Sequence, residues 1–126
     1  MIFDTDVLIW VQRGNEKAAS LIDKTEERLI SSQTYMELLQ DAKNKKQHQL
    51  VKNFLSEYGF EIIPISENIS HRATVYVEEY SLSDSVHAGD AIIAATATEN
   101  NLVLCTGNKK HFQPIKGLKL KIFKPL

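Results

Sequence analysis

Four consecutive apolar residues, Leu102-Val103-Leu104-Cys105, follow an alanine-rich stretch that runs from Asp90 to Ala97. A strand with no polar side chain has both faces buried, the condition of a strand inside a parallel sheet covered by helices. The preceding segment predicts a helix over 89–100, ended by Asn100-Asn101, with side chains small enough for close backbone packing. A helix feeding a doubly buried strand commits the chain to a layered α/β arrangement.

The remaining segments fit that frame. Ile2-Phe3 reads as a brief strand ending at Asp4. Asp6 is placed to cap a helix through Val7–Val11, stopped at Gly14. A helix over 16–27 carries Ala18, Ala19, Leu21 and Ile22 on one face, and Leu29-Ile30-Ser31 forms a second strand. Helices are predicted over 34–43 and 50–58, separated by a turn in the polar stretch 44–49, with Gly59 as the second stop. Phe60–Ile65 is a strand that Pro64 confines to an edge or ends. A helix over 67–80, a loop over 81–85 and an alternating strand over 118–123, wet on one face, complete the chain. Short strands between helices predict a three-layer α/β/α domain with a short, mostly parallel central sheet. At 126 residues, the chain is expected to be one domain spanning 1–126.

Formal net charge is −1, but that figure is a cancellation. Residues 1–100 hold 9 Lys and Arg against 16 Asp and Glu, a net of −7. Residues 101–126 hold Lys109, Lys110, Lys116, Lys119, Lys121 and Lys124 with no acid, a net of +6. That segment is either a solvated tail or an edge facing phosphates. No apolar run reaches the roughly 20 residues needed to span a bilayer. The start, Met1-Ile2-Phe3-Asp4, lacks the basic opening of a signal peptide, so a cytoplasmic protein is expected. The single cysteine, Cys105, excludes an intrachain disulfide, argues against a cysteine zinc site and reads as core. No glycine-rich phosphate loop and no Ser/His/Asp arrangement is present.

In parallel sheets, ligands gather beyond the carboxyl ends of the strands. Asp4 follows the first strand, Glu37 lies early in the helix after the second, Asp90 opens the alanine-rich helix, and Asn108 follows strand 102–105. Each has a purely structural explanation as well. Thr34 to Glu37 fits a capping box, and Asp90 gains from a helix N-terminus. Asp4 is harder to explain this way, because a carboxylate directly after a buried strand needs a partner. Two carboxylates about 5 Å apart repel by ~3 kcal/mol at an effective dielectric near 20, so three converging acids without arginine call for a cation. All-oxygen ligands select Mg2+ or Mn2+.

These residues resemble a PIN domain, specifically the short toxins of VapBC-type toxin–antitoxin pairs, over almost the whole chain. Ile2-Phe3-Asp4-Thr5-Asp6-Val7-Leu8-Ile9 is similar to the opening motif, and Ser31–Leu39 around Glu37 to the second acidic motif. Gly89-Asp90-Ala91-Ile92-Ile93-Ala94-Ala95-Thr96-Ala97 is similar to the third, and Thr106-Gly107-Asn108-Lys109-Lys110-His111-Phe112 to the last. The resemblance implies a metal-dependent ribonuclease that arrests translation until a cognate VapB-like antitoxin occupies it. Asp4 and Asp90 are then the principal metal ligands, with Glu37 completing the cluster or orienting the attacking water. Thr5, Asp6 and Thr106 border the site. Asn108 stands where many relatives carry a fourth acid, which removes a charge and favours one tightly bound ion.

The expected function is therefore an Mg2+- or Mn2+-dependent endoribonuclease toxin acting on tRNA, rRNA or mRNA. Lys109, Lys110 and His111 are candidate RNA contacts, and a homodimer is expected as in similar toxins. Two other readings remain. Asn108 is compatible with a catalytically silent RNA- or protein-binding module. Asp4-Thr5-Asp6 also matches the Asp-x-Asp of haloacid-dehalogenase-like phosphatases, although Val7-Leu8 stand where their Gly-Thr belongs.

Overall fold

The computed structural model describes residues 1–126. Five strands form one sheet: β1 (Ile2–Phe3), β2 (Leu29–Ser31), β3 (Glu61–Ile63), β4 (Leu104–Thr106) and β5 (Leu120–Ile122). Their spatial order is β3-β2-β1-β4-β5, and every pairing is parallel, so the sheet is wholly rather than mostly parallel. Order reverses at β1, where the chain first extends outward through β2 and β3 and later returns through β4 and β5. The carboxyl end of β1 is thus the switch point at which such sheets open a crevice.

The two-residue period of the strands sorts the core into two clusters. Ile2, Leu29 and Leu104 point to one face, covered by α5 (Glu67–Asp84) and α6 (Ala88–Glu99) through Ile69, Ala73, Tyr76, Ala91, Ala94 and Ala95. Phe3, Ile30 and Cys105 point to the other. There α1 (Thr5–Gln12), α2 (Glu16–Lys24), α3 (Ser32–Asp41) and α4 (Lys45–Glu57) supply Val7, Leu8, Ile22, Leu38, Val51 and Leu55. The result is three layers, α/β/α. A short helix, α7 (Lys109–Phe112), follows β4 and buries Phe112.

Several element boundaries differ from the sequence expectation, each for a local reason. The first helix begins at Thr5, capped by Asp4, whose Oδ1 accepts from the Thr5 amide at 2.7 Å. Asp6 therefore lies in the first turn and is not the cap. The third helix starts at Ser32 because Ser31 Oγ accepts from the Thr34 amide at 3.0 Å. Thr34 is then inside the helix, and no Thr34–Glu37 capping box forms. The polar stretch 44–49 is helix and not a turn: Asn44 Oδ1 caps it through the Gln47 amide at 2.9 Å, and Lys and Gln are good helix formers on an exposed face. Residues 81–84 extend α5 rather than forming a loop, since nothing breaks the helix before Ser85 takes a left-handed conformation at φ 56°. The last strand shortens to Leu120–Ile122, and no helix is long and apolar enough to cross a membrane.

Candidate active site

At the switch point the chain turns from β1 into α1, and Asp4 occupies the junction. The residue is 5% exposed, and its carboxylate is held at both oxygens. Oδ1 takes the Thr5 amide, and Oδ2 accepts from Thr106 Oγ1, at the end of neighbouring β4, at 2.7 Å. Thr106 Oγ1 in turn accepts from the Asn108 amide at 3.0 Å. Burial, the adjacent Asp6 and, to a smaller extent, Asp90 push the Asp4 carboxyl up to about 7, against the opposing pull of its two hydrogen bonds.

Asp6, in the first turn of α1, is also raised by burial, although it accepts from the Gly107 amide at 2.9 Å through Oδ2. Its other oxygen, Oδ1, is buried with no partner. A Cβ on Gly107 would stand 2.7 Å from Asp6 Oδ2 and 3.4 Å from the Phe123 carbonyl oxygen, so a side chain here displaces the Asp6 carboxylate. Sequence reasoning had no steric argument for Gly107, although the residue lies within the closing motif.

Glu37, in the second turn of α3, reaches the same edge through Thr5, whose Oγ1 donates to Glu37 Oε1 at 2.5 Å. The start of α6 packs against it, since a Cβ on Gly89 would lie 3.5 Å from Glu37 Oε2. Asp90, in the first turn of α6, is approached by the His87 amide and by His111 Nδ1, each at 3.4 Å from Oδ2. Asn108 precedes α7, is exposed, and makes no side-chain capping bond. Lys109, Lys110 and His111 are likewise exposed on that helix.

The basic C-terminal segment does not form one surface. Lys109 and Lys110 follow the carboxyl end of β4, whereas Lys119 Nζ bonds Asn101 Oδ1 at 2.8 Å, where the chain enters β4 from the opposite end. A cavity of about 460 Å³ between α1, α3 and α4, lined by Val11, Leu38, Leu50, Val51, Phe54 and Tyr58, includes none of Asp4, Asp6, Glu37 or Asp90 in its wall.

The acid edge fits a hard divalent cation on its chemistry. Its donors are all oxygen, burial and then repulsion from Asp6 raise Asp4, and Asp6 keeps a buried oxygen without a partner. The side chains do not close into a ready-made cage of three metal-ligating groups.

Comparison with protein families matches residues 1–117 to the PIN domain. None of the curated proteins matches the chain. Among solved structures, a toxin–antitoxin complex from Klebsiella pneumoniae is similar at 34% identity and a TM-score of 0.79, over 99% of this chain and 97% of that one. VapBC2 from Rickettsia felis, bound to a promoter DNA fragment, is 26% identical with a TM-score of 0.78, over 98% and 100% of the two chains. VapBC-1 from nontypeable Haemophilus influenzae shares the fold at 24% identity and a TM-score of 0.79, over 97% and 98%.

Proposed function

This chain belongs to the PIN-domain family, and on that ground we propose that it is a VapC-type endoribonuclease toxin of a type II toxin–antitoxin pair. It hydrolyses RNA phosphodiester bonds and inhibits translation until a VapB-like antitoxin neutralises it. What supports the reading is the buried Asp4 carboxylate, fixed by Thr106 Oγ1 at the sheet's switch point, in a chain that matches the PIN domain over residues 1–117. The phosphatase alternative falls away with the family assignment.

In this reading Asp4 and Asp90 hold the ion and Glu37 completes the acidic set. A bound Mg2+ or Mn2+ supplies charge neutralisation at the phosphate and a water of lowered pKa. Glu37, fixed by Thr5, accepts a proton from the attacking water and holds its orientation. Thr106 and Thr5 keep the carboxylates aimed, and Asp6 aligns the β4–α7 turn through Gly107. Lys109 and Lys110 draw RNA phosphates toward the edge. Asn108 adds an amide but no charge, which favours a single tightly held ion. The protein acts in the cytoplasm, as a homodimer when free of its antitoxin.

Purified wild-type protein should cut RNA in Mg2+ or Mn2+ and stop when the ion is chelated. Asp4→Ala and Asp90→Ala should each abolish cleavage while leaving the circular-dichroism spectrum intact. Wild-type cutting rates in either variant would overturn the site assignment. Metal-independent RNA binding without cleavage by the wild type would instead favour the silent binding module, for which Asn108 speaks.

A further inference from the structure

His87 and His111 come from different elements, the residue preceding α6 and the body of α7, yet their rings lie nearly parallel. The interplanar angle is 16° and the centroids are 6.3 Å apart. Both residues are exposed, and each sits beside a buried anchor of the same core cluster: Val86 is 1% exposed and Phe112 is 0%. Neighbouring backbone is thus pinned on both sides while the rings face solvent. The separation lies at the wide end for an aromatic pair, so the two rings gain little from one another.

We propose that the paired rings of His87 and His111 form a stacking surface for one nucleobase of the RNA substrate, next to the phosphate that Asp90 and Asp4 engage. Single-stranded RNA is read largely by stacking splayed bases on aromatic side chains, histidine among them. His111 Nδ1 lies 3.4 Å from Asp90 Oδ2, which puts the stacking surface directly beside the acid edge. Lys109 and Lys110 lie exposed on the same short helix as His111 and would supply charge for the flanking phosphates. A base and its phosphate are then addressed by residues at the start of α6 and in α7, beside Asp90. Every base has a π-face, so the surface sets the register of the strand more than its sequence. This inference rests on the ribonuclease reading.

The test uses the full chain and short single-stranded RNAs carrying 2-aminopurine at successive positions. An Asp4→Asn background prevents cleavage during the binding measurements. With both histidines present, fluorescence at one position should be quenched on binding. His87→Ala should remove the quench and, in the protein with Asp4 intact, raise KM about tenfold, with the loss falling on KM rather than kcat. His87→Phe should restore both, because a benzene ring stacks without hydrogen bonding. The His87→Ala/His111→Ala double variant should bind more weakly than either single variant. An unchanged KM in the double variant while RNA is still cut would overturn the inference and leave the ribonuclease reading standing. Failure of His87→Phe to rescue would also overturn it. A wild-type protein that binds no RNA would overturn both readings.

Discussion

Thr106 donates its hydroxyl to Asp4 Oδ2 at 2.7 Å, joining the carboxyl ends of the two central strands β1 and β4 through their side chains. The same hydroxyl oxygen accepts from the Asn108 amide at 3.0 Å, so one group fixes the carboxylate and also shapes the turn into α7. Thr106→Val keeps the volume and removes both bonds. Cleavage and Mn2+ affinity should fall about 10- to 100-fold, the usual cost of losing a group that orients a metal ligand. Thr106→Ser should recover most of it. Calorimetric Mn2+ titration alongside a cleavage assay checks both expectations.

A side chain at Gly107 collides with the Asp6 carboxylate. Gly107→Ala places a methyl 2.7 Å from Asp6 Oδ2 and must displace Asp6, the turn, or both. The expected loss is about 1–3 kcal/mol of stability, measured by urea unfolding, together with weaker cleavage. At Gly59 the reason for glycine is different: its φ of +67° is left-handed and there is open space around it. Gly59→Ala should cost about 1 kcal/mol and leave cleavage untouched.

The raised Asp4 carboxyl makes the metal-free protein sensitive to pH. Its value goes from an ordinary 3.8 to about 7 on folding. Between those values the folded state keeps a proton that the unfolded chain has lost, so stability falls as pH rises through this window. The Asp4→Asn side chain does not titrate. In chelator, the variant should melt above the wild type at pH 8 and close to it at pH 4. Added Mn2+ should reverse the order by stabilising only the wild type. Identical melting curves at both pH values would contradict the burial and repulsion assigned to Asp4.

Lysines at the two ends of the sheet should behave differently. Neutralising Lys109 and Lys110 together should reduce the salt slope of RNA binding by about 2, roughly one unit for each lysine that pairs with a phosphate. Lys119→Ala should leave the slope unchanged, because that ammonium bonds Asn101 away from the acids. Fluorescence anisotropy across a range of salt concentrations separates the two cases.

Cys105 is fully buried in β4, and burial lifts its thiol to about 11. Folded protein at pH 8 should therefore resist iodoacetamide and react only once unfolded, as intact-mass measurement with and without urea would show.

The layered α/β fold was legible because doubly buried strands leave a compositional trace. Leu104-Cys105, Ile2-Phe3 and Leu29-Ile30 are apolar at consecutive positions, and in the structure each pair divides between the two core clusters; Leu102 and Val103, expected in the same buried strand, precede β4, and Val103 is 36% exposed. Asp4 and Asp90 were legible for a related reason, since a carboxylate beside a buried strand or at a helix start follows directly from where those elements stop and begin. Local chemistry misplaced the caps. Asp6 and Thr34 are as competent to cap as Asp4 and Ser31, and the choice between them depends on where the strands end, which pairing with neighbours decides.

What the sequence determined by itself was the order of its elements and the acids placed at their ends, because periodicity and strand burial act within a few residues. Tertiary structure alone decided which of those groups meet. Thr5 ties Glu37 across 32 positions and Thr106 ties Asp4 across 102. Gly107 loses its freedom to Asp6, and two distant histidines become parallel. Those relations arise from parallel pairing on both sides of β1, which brings strand ends far apart in the chain to one edge. No local pattern in the residues carries that information.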